Sequence, residues 1–141
     1  MVWTKYQYDA SGRTIQVTAP DGVSTTTYTY QGNLTKVTDP AGKWKKYTSD
    51  AMGNLIQVAE PDPNGGADLL TTYTYDALGH LTQTAMTRQG TTQTRTFTYD
   101  PTTQRLTSAQ TPETGTTTYA YNDDGTLQSK TDAKGQQTQY Q

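Results

Sequence analysis

The chain has 141 residues, a formal net charge of −2, 30% hydrophobic residues and no Cys. This charge gives no electrostatic basis for nucleic-acid binding, and the lack of Cys excludes disulfides and thiolate chemistry. The 11 Tyr and the many Thr argue against disorder and favour strands. The opening "MVWTKYQYDASG" lacks an apolar segment, so we expect no secretory signal, and no apolar run approaches membrane-spanning length.

A Tyr-x-Tyr pair recurs about every 22 residues and divides the chain into six copies of one pattern. These pairs and the partial copy at the end account for every Tyr and for the single Phe. The first position of the pair holds Tyr6, Tyr28, Tyr47, Tyr73, Phe97, Tyr119 and Tyr140. The second position holds Tyr8, Tyr30, Ser49, Tyr75, Tyr99 and Tyr121.

Each copy continues with the same elements in the same order. A first turn of the form Asx-x-x-Gly ends at Gly12, Gly53, Gly79 and Gly125. A strand is predicted to begin next, at Thr14, Leu34, Leu55, Leu81, Leu106 and Leu127. A second turn, usually ending in Gly, is predicted to open six residues later, at Pro20, Pro40, Pro61, Thr87, Pro112 and Ala133. Asx side chains and left-handed Gly residues are typical of hairpin turns.

The pattern predicts an all-β fold, an antiparallel meander of about a dozen strands built from six tandem β-hairpin repeats. We predict one repeat array over residues 1–141, in a sheet that twists and curls into a partial shell or a spiral strip. Leu34 and Val37 are three residues apart, so either a bulge separates them or both faces of the sheet are partly apolar.

The Tyr rows have two interpretations. Both rings of a Tyr-x-Tyr pair point to one face, and the aliphatic strand between successive pairs fills the gap beside them. Occupancy in nearly every copy favours a ladder that holds the repeats together. The alternative is an aromatic platform that binds sugars or peptides. Ser49 breaks the row beside the longest loop, so any local function is predicted there.

The pattern Tyr-x-Tyr-Asp-x-x-Gly-(Arg/Asn)-Leu resembles the YD or Rhs repeat. "YQYDASGRTIQVTAPDG" and "YTYDALGHLTQT" carry the resemblance most clearly, and it covers residues 4–141. The family includes bacterial polymorphic toxins, cocoon components of insecticidal Tc toxins and animal teneurins. In these proteins the repeats form a β-strip that spirals into a hollow shell, which in the bacterial toxins encloses a C-terminal toxin domain.

The resemblance implies a non-catalytic structural module, a fragment of such a shell in a secreted or cell-surface toxin. Its expected partners are the remainder of the shell and the enclosed toxin domain, together with self-association through open strand edges. The alternative is an extracellular adhesion or glycan-binding module that uses the Tyr rows.

No constellation for catalysis, cofactors or metals is predicted. His80 follows a turn and is interpreted as a surface residue, and a lone His without Cys makes a transition-metal site improbable. Asp62, Asn64 and Asp68 could bind Ca²⁺ only loosely, and a polar loop is the better interpretation. The Lys43–Lys46 run is interpreted as a solvated edge strand.

Overall fold

A computed structural model describes residues 2–140, and all regular secondary structure in that part of the chain is β-strand. The strands are β1 (Lys5–Tyr8), β2 (Thr14–Thr18), β3 (Thr25–Gln31), β4 (Leu34–Thr38), β5 (Trp44–Ser49), β6 (Leu55–Glu60), β7 (Leu69–Tyr75), β8 (Leu81–Arg88), β9 (Thr91–Tyr99), β10 (Leu106–Thr111), β11 (Gly115–Tyr121), β12 (Leu127–Thr131) and β13 (Gln137–Gln139).

The strands form one 13-stranded sheet in which strand order follows chain order. Neighbouring strands pair in the antiparallel direction. The predicted all-β antiparallel meander is therefore confirmed. The chain also divides into two compact units, one through Thr72 and one from Tyr73, which are described separately below.

The second strand of every repeat begins where the sequence predicts, from Thr14 to Leu127. The first turn shows why. The Asp9 carboxylate accepts hydrogen bonds from the backbone N–H groups of Ser11 and Arg13, both at 2.9 Å. Gly12 closes the turn at φ +78°, a conformation that strains residues with a Cβ. The turn chemistry therefore fixes the first residue of the following strand.

The second turn of repeat four differs from the prediction. β8 continues through Thr87 to Arg88, and the chain reverses at Gln89 and Gly90, with φ values of 49° and 77°. Two consecutive positive φ values are typical of a tight two-residue hairpin turn. The predicted opening at Thr87 is wrong because this turn is short and has no Pro to end the strand early.

A register shift accompanies the first turn in four hairpins. The shifts lie between Gln7 and Tyr8, Thr48 and Ser49, Leu106 and Ser108, and Ala120 and Tyr121. No shift separates β3 and β4, which pair regularly from Gln31–Leu34 to Thr27–Thr38. Leu34 and Val37 therefore lie on opposite faces of an unbulged strand, and the alternative with two partly apolar faces is the correct one here.

The sheet has almost no interior. Among the described residues only Ala59 and Ser129 are buried, and no side chain is fully buried. The chain exposes 9678 Å², whereas a compact protein of 15.5 kDa exposes about 7,200 Å². Its stability therefore depends on strand pairing and on half-buried side chains rather than on a two-layer core.

Candidate functional site

The predicted aromatic positions lie opposite the aliphatic strands. In the unit through Thr72, Tyr6 pairs with Val17, Tyr28 with Val37 and Tyr47 with Val58. In the unit from Tyr73, Phe97 pairs with Ala109 and Tyr119 with Lys130. Cross-strand partners share a face and stabilise a sheet by about 0.2–1 kcal/mol per pair. We call this the tyrosine face of each unit.

Three rings at the second Tyr position are covered by the residue that follows the first turn of the preceding repeat. We call that residue the turn-exit residue. The Arg13 guanidinium lies 4.3 Å from the centroid of the Tyr30 ring, and Arg105 lies 5.7 Å from that of Tyr121. His80 stacks on Tyr99 with ring centroids 4.7 Å apart. A planar cation or imidazole therefore lies on the aromatic ring at each of these joints between repeats.

The same three Tyr residues donate their hydroxyl hydrogens to the preceding strand. The acceptors are the carbonyl oxygens of Thr14, Leu81 and Leu106, which receive bonds from Tyr30 at 2.7 Å, Tyr99 at 3.1 Å and Tyr121 at 2.9 Å. Each acceptor is the first residue of its strand. We call this hydrogen bond the tyrosine clamp.

The tyrosine clamp forms where the backbone ladder has ended. The ladder between β2 and β3 runs from Thr18–Thr25 to Gln16–Thr27. The ladder between β10 and β11 likewise ends at Ser108–Thr118. Beyond these points the hydroxyls of Tyr30 and Tyr121 donate to the carbonyls of Thr14 and Leu106. The clamp thus links the two strands past the end of their shared ladder.

Ser49 has a structural explanation in the shape of β4. Because β4 has no bulge, its ladder with β5 continues to Leu34–Thr48, the first residue of the strand. The Ser49 N–H then donates to the Asn33 carbonyl at 3.1 Å, and the Asn33 side-chain amide donates to the Ser49 carbonyl at 2.6 Å. Backbone and amide contacts with Asn33 therefore link β5 to the turn before β4 at the position where other repeats place a Tyr.

His80 is half-buried rather than a surface residue. Its side chain is 26% exposed, it stacks on Tyr99, and its Nδ1 lies 2.9 Å from an oxygen of Asp76. The side-chain hydrogen bond from His80 lowers the pKa of Asp76 below its ordinary value. The imidazole thus takes the position that Arg13 and Arg105 hold at other joints.

The carboxylates of the first turns are engaged in capping. Hydrogen bonds from the Arg13 backbone and side chain lower the pKa of Asp9, and the Asn54 side chain does so for Asp50. These carboxylates accept bonds within their own turns and do not converge on a shared point. They form a series of local caps rather than a pair suited to acid–base chemistry.

The Lys43–Lys46 segment is not at an edge, because β5 lies between β4 and β6. The edge-strand interpretation is therefore wrong. Lys45 pairs with Glu60 at 2.7 Å and Lys46 with Asp68 at 3.7 Å. The Lys46 ammonium also lies 4.3 Å from the Trp44 ring centroid. Lys45 and Lys46 thus each have an acidic partner, and Lys46 also contacts an aromatic ring.

A shallow cleft of about 510 Å³ lies beside this segment. Its apolar lining includes Val37, Tyr47, Pro61 and Pro63. It carries no convergent set of polar side chains, because Lys45 and Glu60 on its rim are paired with each other. The cleft is lined by residues of β4, β5 and β6 and by the turns that follow β4 and β6.

In the loop predicted as a loose Ca²⁺ site, the Asp carboxylates contact groups of the protein. Asp62 accepts a bond from the Asn64 N–H at 2.9 Å, and Asp68 faces Lys46. Within residues 2–140 no group of three His, Cys, Asp or Glu side chains is placed to hold a metal ion. The same part of the chain contains no helical segment able to span a bilayer.

Sequence reasoning identified the Tyr positions but missed Arg13 and Arg105. Their signal was available, because each directly follows a first turn, as His80 does. It also missed the acceptor carbonyls, which carry no side-chain signature. The Asx-Gly turns were found because their chemistry is local.

Comparison with known proteins identifies the repeat. Residues 8–43 match the family model described as RHS Repeat. A search of curated proteins found no match. The sequence resemblance to YD/Rhs repeats is confirmed by the match of residues 8–43 to this model.

Solved structures show the same fold over nearly the whole chain. The crystal structure of TcdB2-TccC3-Cdc42 matches with a TM-score of 0.77 and 18% identity, covering 98% of this chain and 8% of that one. The Tc holotoxin pore of Photorhabdus luminescens gives a TM-score of 0.76 at 18% identity, with 98% and 8% coverage. The TcdB2-TccC3 structure without its hypervariable C-terminal region gives 0.69 at 21% identity, with 92% and 7% coverage. The chain therefore spans less than a tenth of the length of each of these chains.

Proposed function

We propose that this chain is a non-catalytic structural module, a segment of an Rhs-type β-shell that encloses a toxin domain in a secreted bacterial toxin. The observation that carries the proposal is the recurrence of one joint. Tyr30, Tyr99 and Tyr121 make the same hydroxyl bond to the preceding strand in three different repeats. A contact repeated in phase along the chain is typical of a structural array, whereas a binding or catalytic site is local.

The physical character of the sheet supports this role. A layer with almost no buried side chains needs strand neighbours for stability and has little capacity to shape a catalytic pocket. One structural neighbour is a Tc holotoxin pore by its title, and the others also contain TccC3. On this proposal the partners are the remainder of the shell and the enclosed toxin domain, and the location is extracellular or at the cell surface.

We further propose that residues 1–141 form one repeat array in which the recurrent positions hold successive repeats together. These positions are Tyr6, Tyr8, Gly12, Tyr28, Tyr30, Tyr47, Gly53, Tyr73, Tyr75, Gly79, Phe97, Tyr99, Tyr119, Tyr121, Gly125 and Tyr140. Self-association through the outer edges of β1 and β13 remains a prediction. Static light scattering of the purified chain across a concentration series tests it.

The rings of Tyr30, Tyr99 and Tyr121 give the glycan-binding alternative no support. Sugar binding needs an open aromatic face, but Arg13, His80 and Arg105 cover the rings of Tyr30, Tyr99 and Tyr121. Their hydroxyls are also engaged by main-chain carbonyls. The geometry therefore favours the structural role.

Limited proteolysis tests the proposal. The reading frame is expressed with its flanking coding sequence, and protection of any C-terminal domain is followed by mass spectrometry. Deletion of residues 73–96, one complete repeat, should expose that domain to protease. Val23→Ser is the matched control, because Val23 is 82% exposed in a turn and should leave protection unchanged. A C-terminal domain that is digested equally fast with and without the deletion would contradict enclosure.

A further inference from the structure

One cross-strand pair on the face opposite the tyrosine face departs from the repeat. The pair joins the third residue of a second strand to the residue before the next first-position aromatic. Between β4 and β5 it consists of Lys36 and Lys46, directly opposite each other. Like charges in this arrangement destabilise a sheet. The corresponding pairs are all uncharged, namely Gln16–Thr27, Gln57–Thr72, Gln83–Thr96, Ser108–Thr118 and Ser129–Gln139.

The groups around the two lysines compensate their charge only in part. The Lys46 ammonium lies 3.7 Å from a carboxylate oxygen of Asp68, whereas the part of the chain that the structure describes contains no ion pair with Lys36. Both ammonium groups share one ring, because the Trp44 centroid lies 4.3 Å from Lys46 and 5.6 Å from Lys36. Thr29, an exposed residue directly opposite Lys36 on β3, adds a hydroxyl to the same face. An excess of positive charge therefore remains beside an aromatic ring.

We infer that Lys36, Lys46 and Trp44 form a binding site for a phosphate or sulfate monoester. An oxyanion between the two ammonium groups removes their repulsion and accepts a charge-assisted hydrogen bond from each. Lys presents point charges, which suit a tetrahedral oxyanion, whereas a planar carboxylate is matched better by the fork of Arg. The indole beside the anion offers an apolar surface to the carbon part of the ester. This site adds a ligand to the proposed structural role and does not depend on that role.

The competing interpretation is that the two lysines only hold Trp44 in place. The two interpretations predict opposite effects on the stability of the free chain. If the pair serves a ligand, replacing Lys36 removes a repulsion and should raise stability, as is common at binding sites. If the pair serves Trp44, the same replacement removes a cation–π contact and should lower stability.

A titration of the full chain tests the inference. The probes are glucose 6-phosphate, inorganic phosphate and glucose, all at low salt. Trp3→Phe leaves Trp44 as the only Trp, so binding is followed by its fluorescence and by NMR of the Lys side chains. We expect saturable binding of glucose 6-phosphate, weaker binding of inorganic phosphate and no binding of glucose. Added salt should weaken the binding of both anions.

The decisive variant restores the neutral pair of the other repeats. Lys36→Gln combined with Lys46→Thr gives the Gln–Thr pair found at three equivalent positions. This double variant should lose saturable binding and should unfold at a higher urea concentration. Lys36→Gln alone should weaken binding about 2- to 5-fold, as expected for one half-exposed charge, and should also raise the urea midpoint. Lys134→Gln, in an exposed turn, is the matched control and should change neither quantity.

The absence of saturable glucose 6-phosphate binding would overturn the inference, as would unchanged affinity in the double variant. A lower urea midpoint for Lys36→Gln would also overturn it, because the lysines would then be structural supports of Trp44. Inorganic phosphate that binds as tightly as the ester would overturn the assignment of an ester ligand. These outcomes are separate from the protection of a C-terminal domain, which the proteolysis experiment measures.

Discussion

The tyrosine clamp at Tyr30 can be tested by removing one oxygen atom. Tyr30→Phe deletes the 2.7 Å hydrogen bond to the Thr14 carbonyl and leaves the ring beneath Arg13 in place. A neutral hydrogen bond contributes about 0.5–1.5 kcal/mol net, and the half-buried carbonyl can regain partial hydration. We expect a loss of about 1 kcal/mol in the free energy of unfolding. For a chain of this size that corresponds to a thermal midpoint about 3 °C lower.

Urea unfolding followed by far-UV circular dichroism measures this loss, and amide hydrogen exchange localises it. Exchange should accelerate in β2 near Thr14 and in the facing part of β3, because repeat arrays open locally. Tyr6→Phe is the matched control, since that ring is 55% exposed. An equal loss in the Tyr6 variant, or unchanged exchange around Thr14 in the Tyr30 variant, would refute the clamp as a stabilising contact.

Three further predictions follow from the turns and the His joint. Gln89→Asn should stabilise the chain by about 0.5 kcal/mol, because Asn tolerates the positive φ of 49° better than Gln; an unchanged urea midpoint would contradict this. Folding lowers the pKa of Asp9, Asp50 and Asp76 from 3.8, so their stabilisation is present above about pH 4 and is lost as the pH falls through the folded values. Urea midpoints should therefore fall between pH 5 and pH 2.5, and a flat profile would count against the caps. His80→Ala should cost about 1 kcal/mol and return the Asp76 pKa toward its ordinary value in a carboxyl NMR titration, whereas His80→Arg should preserve stability; equal losses in both variants would exclude stacking on Tyr99 as the cause.

The parts of the fold that depend on local chemistry could be predicted from the sequence. In repeats one, three and four, turns capped by Asp and closed by Gly specify where the second strand begins. Tyr-x-Tyr specifies which side chains share a face. The sequence pattern placed a turn at Thr87, but Thr87 is not Pro and can continue a strand, so β8 extends to Arg88. The chain reverses at Gln89 and Gly90 instead. This turn requires a positive φ at Gln89, which Gln seldom adopts.

The contacts at the joints between repeats could not be predicted from the sequence. The tyrosine clamp depends on where the β2–β3 ladder stops, which is at Gln16–Thr27, beside the register shift between Gln16 and Thr14 in the β1–β2 pair. The exception at Ser49 has the same origin, because β4 lacks the bulge and pairs with β5 to its first residue. A side chain can be read from a sequence, whereas the point at which two strands stop pairing cannot.

The bulge beside the first turn also governs which changes in length the array tolerates. Alternating side chains give a strand a two-residue frame, so a single inserted residue would invert the row that follows. In repeat one Val17 lies opposite Tyr6, eleven positions later, and in repeat two Val37 lies opposite Tyr28, nine positions later. The short turn and the missing bulge together remove two residues, and Val remains opposite Tyr. The turn and the bulge thus act as a frame-keeping pair, through which repeats of unequal length share one sheet.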